Sequence, residues 1–111
     1  MTDVLDASVA ILSYDRVHLL ERTLRALIDP KVYGGVRHEI IVVDNHPDRK
    51  AEALVAEIAG LSAAPVTYLH EPRRNISIVR NIGIKAAKGR YVAIVEDDEM
   101  ALEGWVGEVV A

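Results

Sequence analysis

The sequence predicts an α/β fold, a parallel sheet with helices on both faces. Three observations point there. Short apolar runs alternate with amphipathic stretches four times along the 111 residues. The first two runs, residues 8–13 and 39–44, are continuously apolar or β-branched in their centres, as strands buried on both faces are. The stretches between them repeat apolar residues at helical rather than alternating spacing. Parallel strands joined through helices call for right-handed crossovers.

Taken in order, residues 8–13 form the first strand, and Asp15 is placed to cap the following helix. That helix carries Val17, Leu20, Leu24, Leu27 and Ile28 on one face, and Asp29-Pro30 ends it. Gly34-Gly35 marks a loop before the second strand, which finishes on Asp44. After the turn at Asn45-His46-Pro47-Asp48, a second helix faces inward through Ala51, Leu54, Val55 and Ile58, with Gly60 as its expected stop. Residues 66–70 are the third strand. Glu71-Pro72-Arg73-Arg74-Asn75 is a polar loop, and Asn75 or Ser77 caps a third helix reaching about Ala87. Tyr91-Val92-Ala93-Ile94-Val95 reads on its own as a fully buried fourth strand. A short helix around Trp105 is expected in the tail.

Composition narrows the function. Half the residues are apolar, which excludes a disordered chain. No apolar run reaches the roughly 20 residues of a membrane span. There is no basic-then-apolar leader at the N-terminus, and the absence of cysteine fits a cytoplasmic location. The net charge of -4 argues against nucleic acid as a partner. Charge is unevenly placed: six basic residues lie between His70 and Arg90 against Glu71 alone, and the residues that follow are acidic only. Lys85, Lys88 and Arg90 read as a solvated face of the third helix and its exit.

The strongest chemical signal is Glu96-Asp97-Asp98-Glu99, directly after the fourth strand. Ligands of open α/β sheets bind at the carboxyl ends of strands, and adjacent carboxylates repel unless a cation or donors offset them. Hard oxygens suit Mg2+ or Mn2+ together with phosphate oxygens. Alternation along an extended segment puts Glu96 and Asp98 on one side and Asp97 on the other. Asp44 ends the second strand at the same rim, where it either meets a base or ribose or closes a turn with Asn45 and Pro47. Arg80 in the third helix either pairs with a diphosphate or with a rim carboxylate. Ser13 and Tyr14 end the first strand, where Tyr14 can stack on a base. Arg73 and Arg74 either fold over a phosphate or stay solvated. No Walker-type or G-x-G-x-x-G loop is present.

Taken together, several segments resemble the N-terminal half of a family 2 glycosyltransferase of GT-A fold. They are residues 9–16 (Val9 to Arg16), 39–45 (ending Asp44-Asn45), 71–77 and 80–83 (Arg80-Asn81-Ile82-Gly83), then 88–99 through Glu96-Asp97-Asp98-Glu99. The resemblance implies a Rossmann-like sheet of about four strands in the order 3-2-1-4. It also implies that residues 1–111 are a donor-binding half-domain, with the acceptor half absent. A nucleoside-diphosphate sugar, of uridine type, would be the donor for transfer to an unknown acceptor. By that analogy Asp44 meets the base, Ser13 and Tyr14 border it, and Arg80 lies near base and diphosphate. Asp98 is the metal ligand of a D-x-D-type motif, with Glu96 or Asp97 toward the ribose; Glu96 stands where the family usually has aspartate. The catalytic base is expected beyond Ala111, which would leave the fragment itself inactive.

In the order 3-2-1-4 the strand from Tyr91 to Val95 becomes an exposed edge, and such edges invite pairing with a second chain. Other readings fit less well. A receiver-like phospho-acceptor, or another α/β phosphate- or metal-binding regulatory module, would want an acidic pair where Ser13-Tyr14-Asp15 stands. A nucleotidyltransferase would want a glycine-rich basic loop where Asp15-Arg16-Val17-His18 stands. A pure interaction module would leave the rim carboxylates solvated and without ligand.

Overall fold

The structure is a computed structural model and describes residues 5–29 and 37–96. Four parallel strands, β1 (Ala7–Ser13), β2 (His38–Asp44), β3 (Val66–His70) and β4 (Tyr91–Glu96), make one sheet in the order β3-β2-β1-β4. Helices α1 (Val17–Leu27), α2 (Glu52–Leu61) and α3 (Ile76–Ala86) connect them. The sheet order and parallel pairing are those expected. The loop at Gly34-Gly35, the residues from Asp97 onward and the helix expected around Trp105 lie outside the described residues.

Strand alternation sorts the core into two layers. Ala7, Val9 and Ile11 of β1, with Ile40 and Val42 of β2, pack against Leu20, Leu24 and Leu27 of α1 and Val55 and Ile58 of α2. Leu12, Ile41 and Val43 point the other way, to Val79 of α3 with Ile82 and Ala86 beside it. Helix α3 lies close on its face: a Cβ on Gly83 would stand 3.1 Å from Ala10 Cβ.

Three local expectations change. Asp15 does not cap α1. It adopts φ 55, a left-handed turn that a short polar side chain tolerates, and Arg16 occupies the N-cap position. Gly60 does not stop α2, which runs on to Leu61 before Ser62 turns extended. β4 is not fully buried: Tyr91 and Val92 are exposed, because β4 is an edge and pairs only with β1 among the described residues. At α3 the cap is Asn75, whose Oδ1 accepts from the backbone N–H of Ser77 and Ile78 at 2.9 and 3.3 Å.

At the N-terminal end of the sheet a buried polar cluster ties α3 to β4. Glu39 Oε2 accepts from Ser8 Oγ and from the Lys88 backbone N–H, both at 2.6 Å, while Gly89 N–H donates to Ser8 Oγ at 2.8 Å. Gly89 is required there by space, since a Cβ would sit 2.5 Å from the Ala7 carbonyl carbon. This clamp fixes where β4 begins, and so where its acidic end emerges beside β1.

Candidate functional site

The opposite, C-terminal end of the sheet opens into a cleft of about 280 Å³ lined by Leu12, Ser13, Tyr14, Arg16, Asn45, Arg74, Ile76, Val79 and Glu96. β1 enters it from the centre of the sheet, and β4 brings Glu96 alongside Leu12 in register. The floor is apolar, through Leu12, Ile76 and Val79, while the rim carries two arginines and a carboxylate.

Ser13 is 2% exposed, and among the described residues its Oγ has no hydrogen-bond partner. A buried hydroxyl without a partner carries a desolvation cost, which a ligand in the cleft would offset. Tyr14 stands exposed at the next position. Its ring lies 5.1 Å from the ring of His46, and the guanidinium carbon of Arg74 sits 4.1 Å above its centroid. That is cation–π distance.

Asp44 closes a turn, one of the two roles that the sequence left open to it. It is fully buried, and alternation after Ile40 and Val42 turns it toward the α1/α2 layer. Its Oδ2 accepts from the Ala51 backbone N–H at 2.9 Å and from the Tyr68 hydroxyl at 2.8 Å; Oδ1 accepts from His46 N–H at 3.0 Å. Here the carboxylate closes the turn and anchors the start of α2. Burial, followed by the hydrogen bond and charge of Asp44, pushes the Tyr68 hydroxyl above its ordinary pKa.

The next residue, Asn45, faces the cleft instead. Its Nδ2 donates to the carbonyls of Glu71 and Arg73 at 2.6 and 2.8 Å, which ties the end of β2 to the loop before α3. In that loop the Glu71 carboxylate, itself largely buried, accepts from Arg73 three times: from N–H at 2.9 Å, Nε at 3.0 Å and Nη2 at 2.7 Å. The Arg73 side chain, then its backbone N–H, hold the Glu71 carboxyl at about 2, well below the usual range.

Of the expected site residues, the structure brings Ser13, Tyr14 and Glu96 together in the cleft. Arg80 lies exposed on α3 and is not among the residues lining it, and Asp97 and Asp98 lie outside the described residues. Arg16 and Asn45 line the cleft without having been assigned to it, and of Arg73 and Arg74, both left open between a phosphate and solvent, Arg74 lines it. Alternation along β2 was the available signal for Asn45. For Arg74 it was the acid two residues before Arg73, which leaves one arginine of the pair for the cleft.

With this geometry in view, comparison with known proteins is decisive. The sequence model of glycosyl transferase family 2 matches residues 8–111. This chain belongs to glycosyl transferase family 2. Succinoglycan biosynthesis protein ExoM of Rhizobium meliloti is 33% identical over 104 residues, covering 94% of this chain and 33% of that protein. Chondroitin synthase of Escherichia coli is 32% identical over 99 residues, 89% of this chain and 14% of that one. A solved structure is similar as well: S. aureus TarS 1-349 in complex with UDP-GlcNAc superposes with a TM-score of 0.75 at 20% identity, over 94% of this chain and 30% of that chain. That likeness establishes the GT-A fold. The chain spans a third or less of the length of these relatives. No helix among the described residues is long and apolar enough to cross a membrane.

Proposed function

We propose that the cleft binds the nucleoside diphosphate of a sugar donor, of uridine type, for glycosyl transfer to an acceptor by the whole protein. The observation that carries this reading is the buried Ser13 hydroxyl, without a partner among the described residues, in a cleft that also holds Tyr14, Arg16 and Arg74. An aromatic face suits a base, a hydroxyl suits a polar edge of base or ribose, and guanidinium groups suit diphosphate. The UDP-GlcNAc complex of TarS supports the same donor class. Asp44, in this reading, acts from behind the cleft by fixing the turn that presents Asn45.

The acidic group supplies the metal. Glu96 stands at the cleft, and the carboxylate oxygens of the Glu96-Asp97-Asp98-Glu99 run are a hard donor set that fits Mg2+ or Mn2+. Asp98 would hold the ion, with Glu96 or Asp97 toward the ribose. Such an ion, when bound, offsets charge on the departing diphosphate. Calorimetry with UDP and Mn2+ tests the reading: binding is expected, and Asp98→Ala should weaken it. Absence of binding, or equal binding by Asp98→Ala, would count against it.

The β4 edge offers a contact between copies of the chain. Its outer backbone has no strand partner among the described residues, and Tyr91 and Val92 are exposed on it. Solution scattering over a concentration series should show association; a monomer throughout would remove the proposal.

A further inference from the structure

Two consecutive arginines follow Glu71-Pro72, and the structure treats them in opposite ways. Arg73 is consumed by the loop itself, bonded to Glu71 through its backbone and both ends of its guanidinium. Arg74 makes no such pair among the described residues; it lies over Tyr14 in the cleft wall. The carbonyls on either side of this choice, those of Glu71 and Arg73, are held by Asn45 Nδ2. The loop is therefore fixed at both of its polar ends, and between them the backbone turns tightly at Arg74, where the Asn75 N–H donates to the Arg73 carbonyl at 2.9 Å. With Arg73 held by Glu71, this turn leaves Arg74 over Tyr14.

We propose that Glu71 is a positioning residue: its carboxylate holds Arg73 so that the Arg74 guanidinium stands on Tyr14 and receives the diphosphate of a nucleoside diphosphate. This rests on the donor reading above for the identity of the anion, but not for the placement of Arg74. Glu71 touches no ligand in this scheme. A guanidinium stacked on an aromatic face keeps its N–H groups free at the ring's rim, where they can bond phosphate oxygens in pairs. Holding it there beforehand removes part of the ordering cost that a loose arginine would incur on binding.

The test separates placement from binding. In the ligand-free chain, the Arg74 side-chain protons should resonate upfield because of the Tyr14 ring, and Tyr14→Leu should abolish that displacement. Glu71→Gln should abolish it too, and so should Arg73→Ala, whose side chain is 66% exposed and whose removal spares the core. Calorimetry in the presence of Mn2+ then compares UDP with uridine. Both variants should lose roughly tenfold in UDP affinity, the scale of one charge-assisted hydrogen bond, with uridine affinity unchanged. An Arg74 signal that stays upfield in both variants would overturn the proposal. Equal losses for UDP and uridine would also overturn it, since that pattern means general loosening of the loop. If the parent chain binds no UDP, the donor reading falls and the role in anion binding falls with it. The resonance of Arg74 would still decide whether Glu71 positions it.

Discussion

Strand β2 carries a buried carboxylate near its start, Glu39, and another at its end, Asp44, and the two ends of the sheet use them in ways that can be compared directly. At the N-terminal end Glu39 is paired across to Ser8, and the Lys88 and Gly89 N–H groups complete the cluster. At the C-terminal end Asp44 is equally enclosed, by His46, Ala51 and Tyr68. The ends differ on β1. Ser8 has both donor and acceptor capacity used, whereas the buried Ser13 hydroxyl has no partner among the described residues. A closed polar network serves the fold, and an open one at the carboxyl end of a central strand leaves bonding capacity for a ligand.

The comparison breaks most visibly at Gly89. An alanine there brings a methyl group against the Ala7 and Ser8 backbone, which cannot move without shifting β1. We expect Gly89→Ala to lower stability by about 3 kcal/mol, read as a lower urea midpoint. Because the clamp sets where β4 begins, the same variant should disturb Glu96 at the far end. A midpoint equal to the parent's would mean the close approach relaxes cheaply.

Asp44→Ala comes next. It strands the Ala51 N–H and the Tyr68 hydroxyl in a buried site, at an expected cost of about 2 to 3 kcal/mol. If Asp44 instead contacted the base directly, the variant would lose UDP affinity while keeping its denaturation midpoint. That result would revive the role first expected from sequence.

That expectation shows where sequence reading stopped. The fold was legible because its signals are long and redundant: continuous apolar strands, helical periodicity in Leu20, Leu24 and Leu27, and four alternations in one order. Asn75 as a cap and Ser13 at the end of β1 were legible for the same reason, since local spacing decides them. Asp44 stayed open between a turn and a base contact, because the choice depends on which side of the sheet it turns to and on Tyr68, a residue 24 positions away. Alternation from Ile40 and Val42 carried that information. The burial of β4 depended on strand order, which no local pattern encodes. Arg74 depended on a pairing between its neighbours, and Arg16 on a turn at Asp15 with positive φ that a helix cap does not require.

Acid and alkali should each lower stability, through Glu71 in the loop before α3 and Tyr68 on β3. Glu71 titrates at about 2 in the folded chain against 4.5 ordinarily, so it binds its proton less readily when folded. Its contribution is present above about pH 4.5 and is lost as pH falls toward 2. Tyr68 is raised instead, so its contribution holds below its ordinary value of 10.0 and is lost as pH rises beyond it. Urea midpoints should fall at both extremes. Glu71→Gln should flatten part of the acid limb and Tyr68→Phe part of the alkaline one. Limbs unchanged by these variants would mean that other groups govern both.

The smallest expected change in stability is at Ser13, and it bears most directly on the contrast with Ser8. Removing a buried hydroxyl that has no partner among the described residues relieves a desolvation cost, so Ser13→Ala should leave stability unchanged or raise it by about 0.5 kcal/mol. Ser8→Ala removes a hydroxyl bonded on both sides and should lower stability by about 1 kcal/mol. With ligand the order reverses. Ser13→Ala should weaken UDP binding by up to roughly tenfold, the scale of one neutral hydrogen bond, while Ser8→Ala leaves it unchanged. If Ser13→Ala instead costs stability and spares UDP, its hydroxyl belongs to the fold, and the difference between the two ends of β1 disappears.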